Sequence, residues 1–180
     1  MENAMKRFPE VQFHTTWHSY MIDASVQEDG MDAQKYMRKR WGGDGWTHSM
    51  IRGAKADGLE FANWAFWPNT LHTHRLIQYG VKHNKGSEVK ERVLVGLYEK
   101  GENVSKRDVL VRIGTELGLP DVEQYMMSDE GLAEVRQQDR QAKTQMNVSG
   151  VPYFIINDRY TLSGANPTEE WVKVFNQLLK

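Results

Sequence analysis

Residues Val148–Ala165 read Val-Ser-Gly-Val-Pro-Tyr-Phe-Ile-Ile-Asn-Asp-Arg-Tyr-Thr-Leu-Ser-Gly-Ala. Gly150 ends the helix that precedes it. Tyr153–Ile156 is an apolar run of strand formers. Asn157-Asp158 tolerates the positive φ of a tight turn, Tyr160–Leu162 is the returning strand, and Ser163-Gly164 breaks it. Asn166 can then cap a helix, with Pro167 in its first position and Glu169 placed to close a capping box. The order is loop, X-Pro, hairpin, helix. Pro152 stands just before the first strand, where the missing N–H costs no ladder bond and the Val151-Pro152 peptide can be cis at small cost. An ordinary trans proline in a turn is the alternative.

Working outward, Met31 to about Asn147 reads as helical throughout. Asp32 can cap a helix through Arg40, and Gly42-Gly43 breaks it. Asp44 can cap a second helix running to Asp57-Gly58. Phe61–Trp67 is aromatic and irregular and ends at Pro68. Asn69 can cap Thr70–His83. Glu88–Lys100 places Val89, Val93 and Leu97, with Leu94 beside them, on one stripe. Ser105 and Asp108 open a helix to Leu117, Asp121 caps the next, and Ser128-Asp129 starts a last long helix to about Met146. Glu2–Arg7 reads as the end of a helix stopped by Phe8-Pro9. In Val11–Trp17 the residues Val11, Phe13, Thr15 and Trp17 alternate with Gln12, His14 and Thr16, which predicts a strand.

At 180 residues the chain supports one domain with a real core. Its net charge of −1 implies no bulk attraction to nucleic acid or an anionic membrane, and 39% hydrophobic with 26% charged residues is ordinary for a globular protein. No apolar run reaches membrane-spanning length and Met1–Pro9 has no apolar core of a leader, so a cytoplasmic location is expected. The cysteine count is zero. Thiol–disulfide exchange needs a thiolate, so these residues cannot perform it, and disulfides and thiolate metal sites are excluded. His72 and His74 diverge on a helix and no His-Glu-X-X-His pattern occurs, so neither a metal nor another cofactor is expected. The Lys35–Arg40 cluster reads as a solvated helix face. Trp41, Trp46, Trp64, Phe66 and Trp67 read mainly as core, some of them lining an apolar groove.

Gly-Val-Pro-Tyr-Phe followed by Ser-Gly-Ala resembles the cis-proline loop and terminal hairpin of DsbA-like thioredoxin-fold proteins. More narrowly, it resembles the branch of dithiol–disulfide isomerases of polyketide biosynthesis, whose relatives include hydroxychromene-carboxylate isomerase and kappa-class glutathione transferase. Pro68-Asn-Thr-Leu-His-Thr-His-Arg-Leu76 is typical of the same branch. The resemblance implies an α/β, thioredoxin-like fold with a large helical insertion. It implies an incomplete N-terminal part over 1–30, an insertion and connecting helix over 31–147, and a C-terminal part over 148–180, in one body. It covers almost the whole chain but enters the family pattern late: the first strand and its Cys-X-X-Cys have no counterpart, so no catalytic residue is assigned. The gap in the sheet is expected to close by re-pairing of Val11–Trp17 with the terminal hairpin, or by a partner chain in a homo-oligomer. Val151 and Pro152 are implied to hold extended peptide or a thiol-bearing substrate. His74 and Arg75 are the polar candidates beside that groove, with a plain helix start and a hydrogen-bonded histidine as the alternative. The functions implied are a redox-inactive relative of thiol–disulfide oxidoreductases, a non-catalytic peptide or small-molecule binding module, or a remnant of a glutathione-linked isomerase or transferase, whose serine is also missing.

Overall fold

A computed structural model describes residues 1–61 and 63–180. In chain order the elements are α1 (Glu2–Met5), β1 (Met31–Asp32), α2 (Ala33–Trp41), α3 (Thr47–Ala56), β2 (Phe66–Trp67), α4 (Leu71–Lys82), α5 (Gly86–Tyr98), α6 (Arg107–Glu116), α7 (Val122–Met127), α8 (Leu132–Thr144), β3 (Tyr153–Ile156), β4 (Tyr160–Ser163) and α9 (Thr168–Leu178). The chain divides into two units, Thr16–Asp139 and the pair of segments Met1–Thr15 with Arg140–Lys180. The helical unit thus begins earlier than the expected boundary near residue 31. The reason is visible in its hydrogen bonds: the Trp17 carbonyl accepts from Gln78 Nε2, and the Ser19 and Met21 N–H groups donate to Gln138 and Asp139.

In the helical unit, α4, α5, α6 and α7 bury one shared core around Leu76, Val89, Val93, Leu110, Ile113 and Met126. The stripe on α5 is buried at Val89, Val93 and Leu97, whereas Leu94 lies outside it at 38% exposure. Close approach depends on small residues. A Cβ on Gly80 would stand 2.7 Å from Val89 Cγ2, and one on Gly114 would collide with Val122 Cγ2. A second cluster packs Val26, Ala33, Tyr36, Met37 and Trp67. There Asp32 caps α2 by accepting from the Lys35 N–H, and Gly42 ends it in the left-handed region at φ 76°. Phe66–Trp67 is not irregular: it pairs antiparallel with Met31–Asp32, a ladder too short to leave a periodic signature.

In the other unit, β3 and β4 form an antiparallel hairpin with Phe154 opposite Leu162, turning through Asn157 and Asp158 at φ 49° and 54°. The Val151–Pro152 peptide is cis. Phe154, Ile156 and Leu162 face Trp171 and Phe175 of α9, and Ala4 and Phe8 join the same cluster. The expected strand Val11–Trp17 is not formed: among the described residues it has no ladder partner, and it does not re-pair with the hairpin. Of the alternating face, Val11 and Phe13 do pack on this cluster, whereas Thr15 is exposed. Alternation says nothing about a neighbouring backbone. The capping box at α9 is also absent. Asn166 Nδ2 donates to the Ser163 and Gly164 carbonyls, and Glu169 pairs with Arg7 at 2.8 Å.

Gly114→Ala is expected to lower the urea-unfolding free energy by about 1–3 kcal/mol, because overpacking against Val122 outweighs the roughly 1 kcal/mol gain in helix propensity. Gly43→Ala, where a Cβ would meet nothing within 4 Å, should be close to neutral.

Candidate functional site

The two sequence motifs lie in different units, and each builds its own local arrangement. In the proline loop, the Val148 N–H donates to the Ala142 carbonyl and fixes the loop entrance, and the Gly164 N–H donates to the Pro152 carbonyl at 2.8 Å and fixes its exit. Between these ties Val151 and Pro152 are exposed, Val151 by 46%. Among the described residues neither the N–H nor the C=O of Val151 has a hydrogen-bond partner. An apolar side chain beside an unpaired donor and acceptor is what an extended peptide backbone requires of a host.

The second motif starts α4. Asn69 works in three directions: its N–H donates to Ser105 Oγ (2.9 Å), its Nδ2 to the Val26 carbonyl (2.6 Å), and its Oδ1 accepts from the Leu71 N–H (3.0 Å). It therefore accepts the Leu71 N–H from two residues before the helix begins, one residue ahead of the N-cap Thr70. Thr73 Oγ1 donates to the Val104 carbonyl at 2.7 Å. His74 Nε2 lies 3.0 Å from the Tyr20 carbonyl. A carbonyl can only accept, so this nitrogen carries the proton.

Arg75 is completely buried. Its Nε donates to the Glu130 carbonyl (2.8 Å), and its Nη2 donates to the Tyr125 and Ser128 carbonyls (2.8 Å each). Its Nη1 lies 2.9 Å from His72 Nδ1, and the Tyr125 ring sits 5.0 Å from the guanidinium carbon. Burial pulls the guanidinium below its usual range, yet it stays charged at any ordinary pH. This residue does not line an open groove. It fastens the carbonyls at the end of α7 to α4, where the partial negative charge of a helix C-terminus favours a cation. Spacing alone reveals only that His72 and Arg75 share a face. The run of carbonyls Arg75 meets comes from a stretch about fifty residues later, and no sequence signal marks it.

An arginine can only donate, so His72 Nδ1 must accept and His72 is neutral. Burial, with the Arg107 and Arg75 charges behind it, lowers its pKa to about 4 against an ordinary 6.5. In the unfolded chain the imidazole binds a proton between those values and in the folded chain it does not. Stability contributed here is therefore full above about pH 6.5 and falls as the pH drops toward 4. The carboxyls of Glu102, bonded to Arg92 and Arg112, and of Asp23, bonded to Ser25, are held below their ordinary values, so their contributions are lost only at lower pH.

Away from both motifs, Trp41, Gly42, Gly43, Gly45 and Trp46 line an open cavity of about 660 Å³. Trp41 and Trp46 meet edge to face at 5.0 Å, and Trp67 stacks on Tyr36 at 4.3 Å behind them. The tryptophan-rich stretch thus supplies both core and cavity wall. Lys35, Arg38, Lys39 and Arg40 lie on the exposed face of α2. Among the described residues no group of three or more His, Asp or Glu side chains converges as metal ligands would.

Arg75→Lys should destabilise the protein by about 2–4 kcal/mol in urea unfolding, because an ammonium cannot present a planar fork and leaves buried carbonyls unpaired. His72→Asn keeps an acceptor at the Nδ1 position but cannot titrate. Between pH 7 and pH 4 the parent protein should lose roughly 3 kcal/mol more than this variant, from about 1.4 kcal/mol per pKa unit; equal slopes would remove His72 from the account.

Comparison with known proteins agrees with this architecture. A family model described as a DSBA-like thioredoxin domain matches residues 1–175. The crystal structure of a probable DsbA oxidoreductase from Streptomyces coelicolor superposes with a TM-score of 0.87 at 21% identity, over 98% of this chain and 80% of that one. At that identity the likeness is one of fold. Among curated proteins, none matches. The chain belongs to the DSBA-like thioredoxin domain family.

Proposed function

We propose that residues 1–180 act as the substrate-holding part of a relative of the thiol–disulfide oxidoreductases, with Val151 and Pro152 receiving extended peptide and without redox chemistry of their own. The observation that carries this reading is the Val151 backbone, unpaired among the described residues and set beside an exposed apolar side chain. An extended peptide would exchange N–H and C=O bonds with Val151, as a strand added to a sheet edge does, and its sequence would matter little because the main chain makes the contact. The absence of cysteine supports the second half of the reading. Attack on a disulfide sulfur requires a thiolate, and no other side chain of these 180 residues supplies one. Peptides bearing thiols or disulfides are the substrate class that membership of this family favours, and the dithiol–disulfide isomerase branch is the finer placement that the two motifs support. Arg75 and His74 contribute as framework, by fixing the start of α4.

Two measurements test it. In a dithiothreitol-driven insulin reduction assay the protein should leave the rate at that of buffer, and acceleration would contradict redox inactivity. In a ¹⁵N–¹H correlation spectrum, titration with the reduced, alkylated insulin B chain should shift the Val151 amide most. A titration that leaves Val151 unmoved would sink the peptide reading.

A further inference from the structure

We propose that the Asp44-Gly45 peptide is a site of isoaspartate formation, at which the main chain is rerouted through the Asp44 side chain beside the Trp41–Trp46 cavity. The proposal goes beyond the peptide-holding reading and does not rest on it. The Gly45 amide nitrogen, relieved of its proton, attacks the side-chain carboxyl carbon of Asp44. A C–N bond forms, a C–O bond breaks, and the departing oxygen leaves as water, closing a succinimide ring. Water then opens the ring. Opening at the side-chain carbonyl restores aspartate. Opening at the main-chain carbonyl gives isoaspartate, whose backbone runs through one extra methylene and whose former main-chain carbonyl is a free carboxylate. One water is lost and one regained, so no oxidant or other reactant is consumed.

Glycine favours this reaction because it has no Cβ to crowd the attack and lets the backbone turn freely. The sequence holds three such pairs, Asp29-Gly30, Asp44-Gly45 and Asp57-Gly58, and does not rank them. The folded chain does. A nitrogen whose N–H is already bonded, or a carboxylate already held, must first break that bond. Gly30 is buried, its N–H donates to the Gln27 carbonyl at 2.9 Å, and the Asp29 carboxylate accepts from Lys106 Nζ at 2.6 Å. Asp57 is the C-cap of α3, and the Gly58 N–H donates to the Lys55 carbonyl at 3.1 Å. Asp44 and Gly45 are both exposed. Among the described residues neither the Gly45 N–H nor the Asp44 carboxylate has a partner. A Cβ on Gly45 would meet nothing within 4 Å, so the ring has space to form.

The change falls on a working part of the fold. The Asp44 carbonyl accepts both from the Thr47 N–H, at 2.8 Å, and from Thr47 Oγ1, at 2.6 Å, and these bonds tie the loop to the start of α3. Isoaspartate turns that carbonyl into a carboxylate on a side branch and lengthens the chain between Trp41 and Trp46, the two rings that wall the cavity. The new carboxylate also gives the site an enzymatic reader. An isoaspartate-specific methyltransferase moves the methyl group of S-adenosylmethionine onto a carboxylate oxygen of this kind, releasing S-adenosylhomocysteine.

The full chain is incubated at neutral pH, folded and in urea, until the unfolded sample carries isoaspartate at all three pairs. Peptides are then mapped by mass spectrometry with electron-transfer fragmentation, which tells the two linkages apart. In the folded protein isoaspartate should build up at Asp44 at least ~5-fold faster than at Asp29 or Asp57, the factor one protecting hydrogen bond imposes. That advantage should disappear in urea. Gly45→Ala, whose methyl group has open space, should lose the Asp44 isoaspartate peptide and the methyl label that the methyltransferase places there. A folded protein that forms none at Asp44 would overturn the proposal. So would Asp29 or Asp57 keeping pace with Asp44 in the folded chain, or an Asp44 advantage that persists undiminished in urea.

Discussion

The helical unit depends on one buried cation. Arg75 has carbonyl groups and an imidazole as its hydrogen-bond partners, at the end of α7 and the turn that follows it. A guanidinium can satisfy this arrangement because its donors lie in one plane and spread outward, and the end of a helix offers carbonyls that no later turn of that helix can use. The electrostatic cost of burying a charge is met by oriented dipoles instead of a counter-ion. The same constraint fixes the protonation of His72, whose Nδ1 has no choice but to accept. Around the same helix start, Asn69 and Thr73 tie α4 to Val26, Val104 and Ser105. The first turn of α4 is therefore where separate stretches of chain are referred to one another.

The C-terminal unit is held differently. Its cohesion is apolar and aromatic: Phe154 meets Trp171 edge to face at 4.6 Å, and Phe13 meets Phe175 at 4.8 Å. Such packing covers the inner face of the hairpin but does nothing for the backbone groups along its edge, because hydrophobic burial has no direction whereas ladder bonds do. Exposure of the Val151–Pro152 loop is consistent with that asymmetry. The proposed role of the loop draws on it.

The family resemblance was legible in two short motifs, and their chemistry explains why. A Val-Pro before an apolar strand and an Asn before a helix with His and Arg in its first turns are local patterns, set by φ restrictions and capping geometry that need no distant partner. What was not legible is what those residues touch. Arg75 reads as a polar group available to a groove, yet it is the most buried cation in the unit, because the carbonyls that receive it arrive from residues 125–130. The Glu169 capping box fits its spacing as well, but Arg7 reaches that carboxylate from the far end of the chain.

Sequence by itself determined the hairpin, its turn at Asn157-Asp158, the helical middle, the family and the absence of any thiol, since each follows from local backbone preference, side-chain periodicity or composition. Tertiary structure alone decided that Val11 and Phe13 would be half-buried in a segment without ladder pairing, that Phe66–Trp67 would pair with Met31–Asp32, and that Arg75 would be a buried fastening. The physical reason is the same in each case. Alternation and spacing specify which side of a segment is apolar, whereas hydrogen bonds and buried charge are completed by groups far along the chain, which only the folded protein brings together.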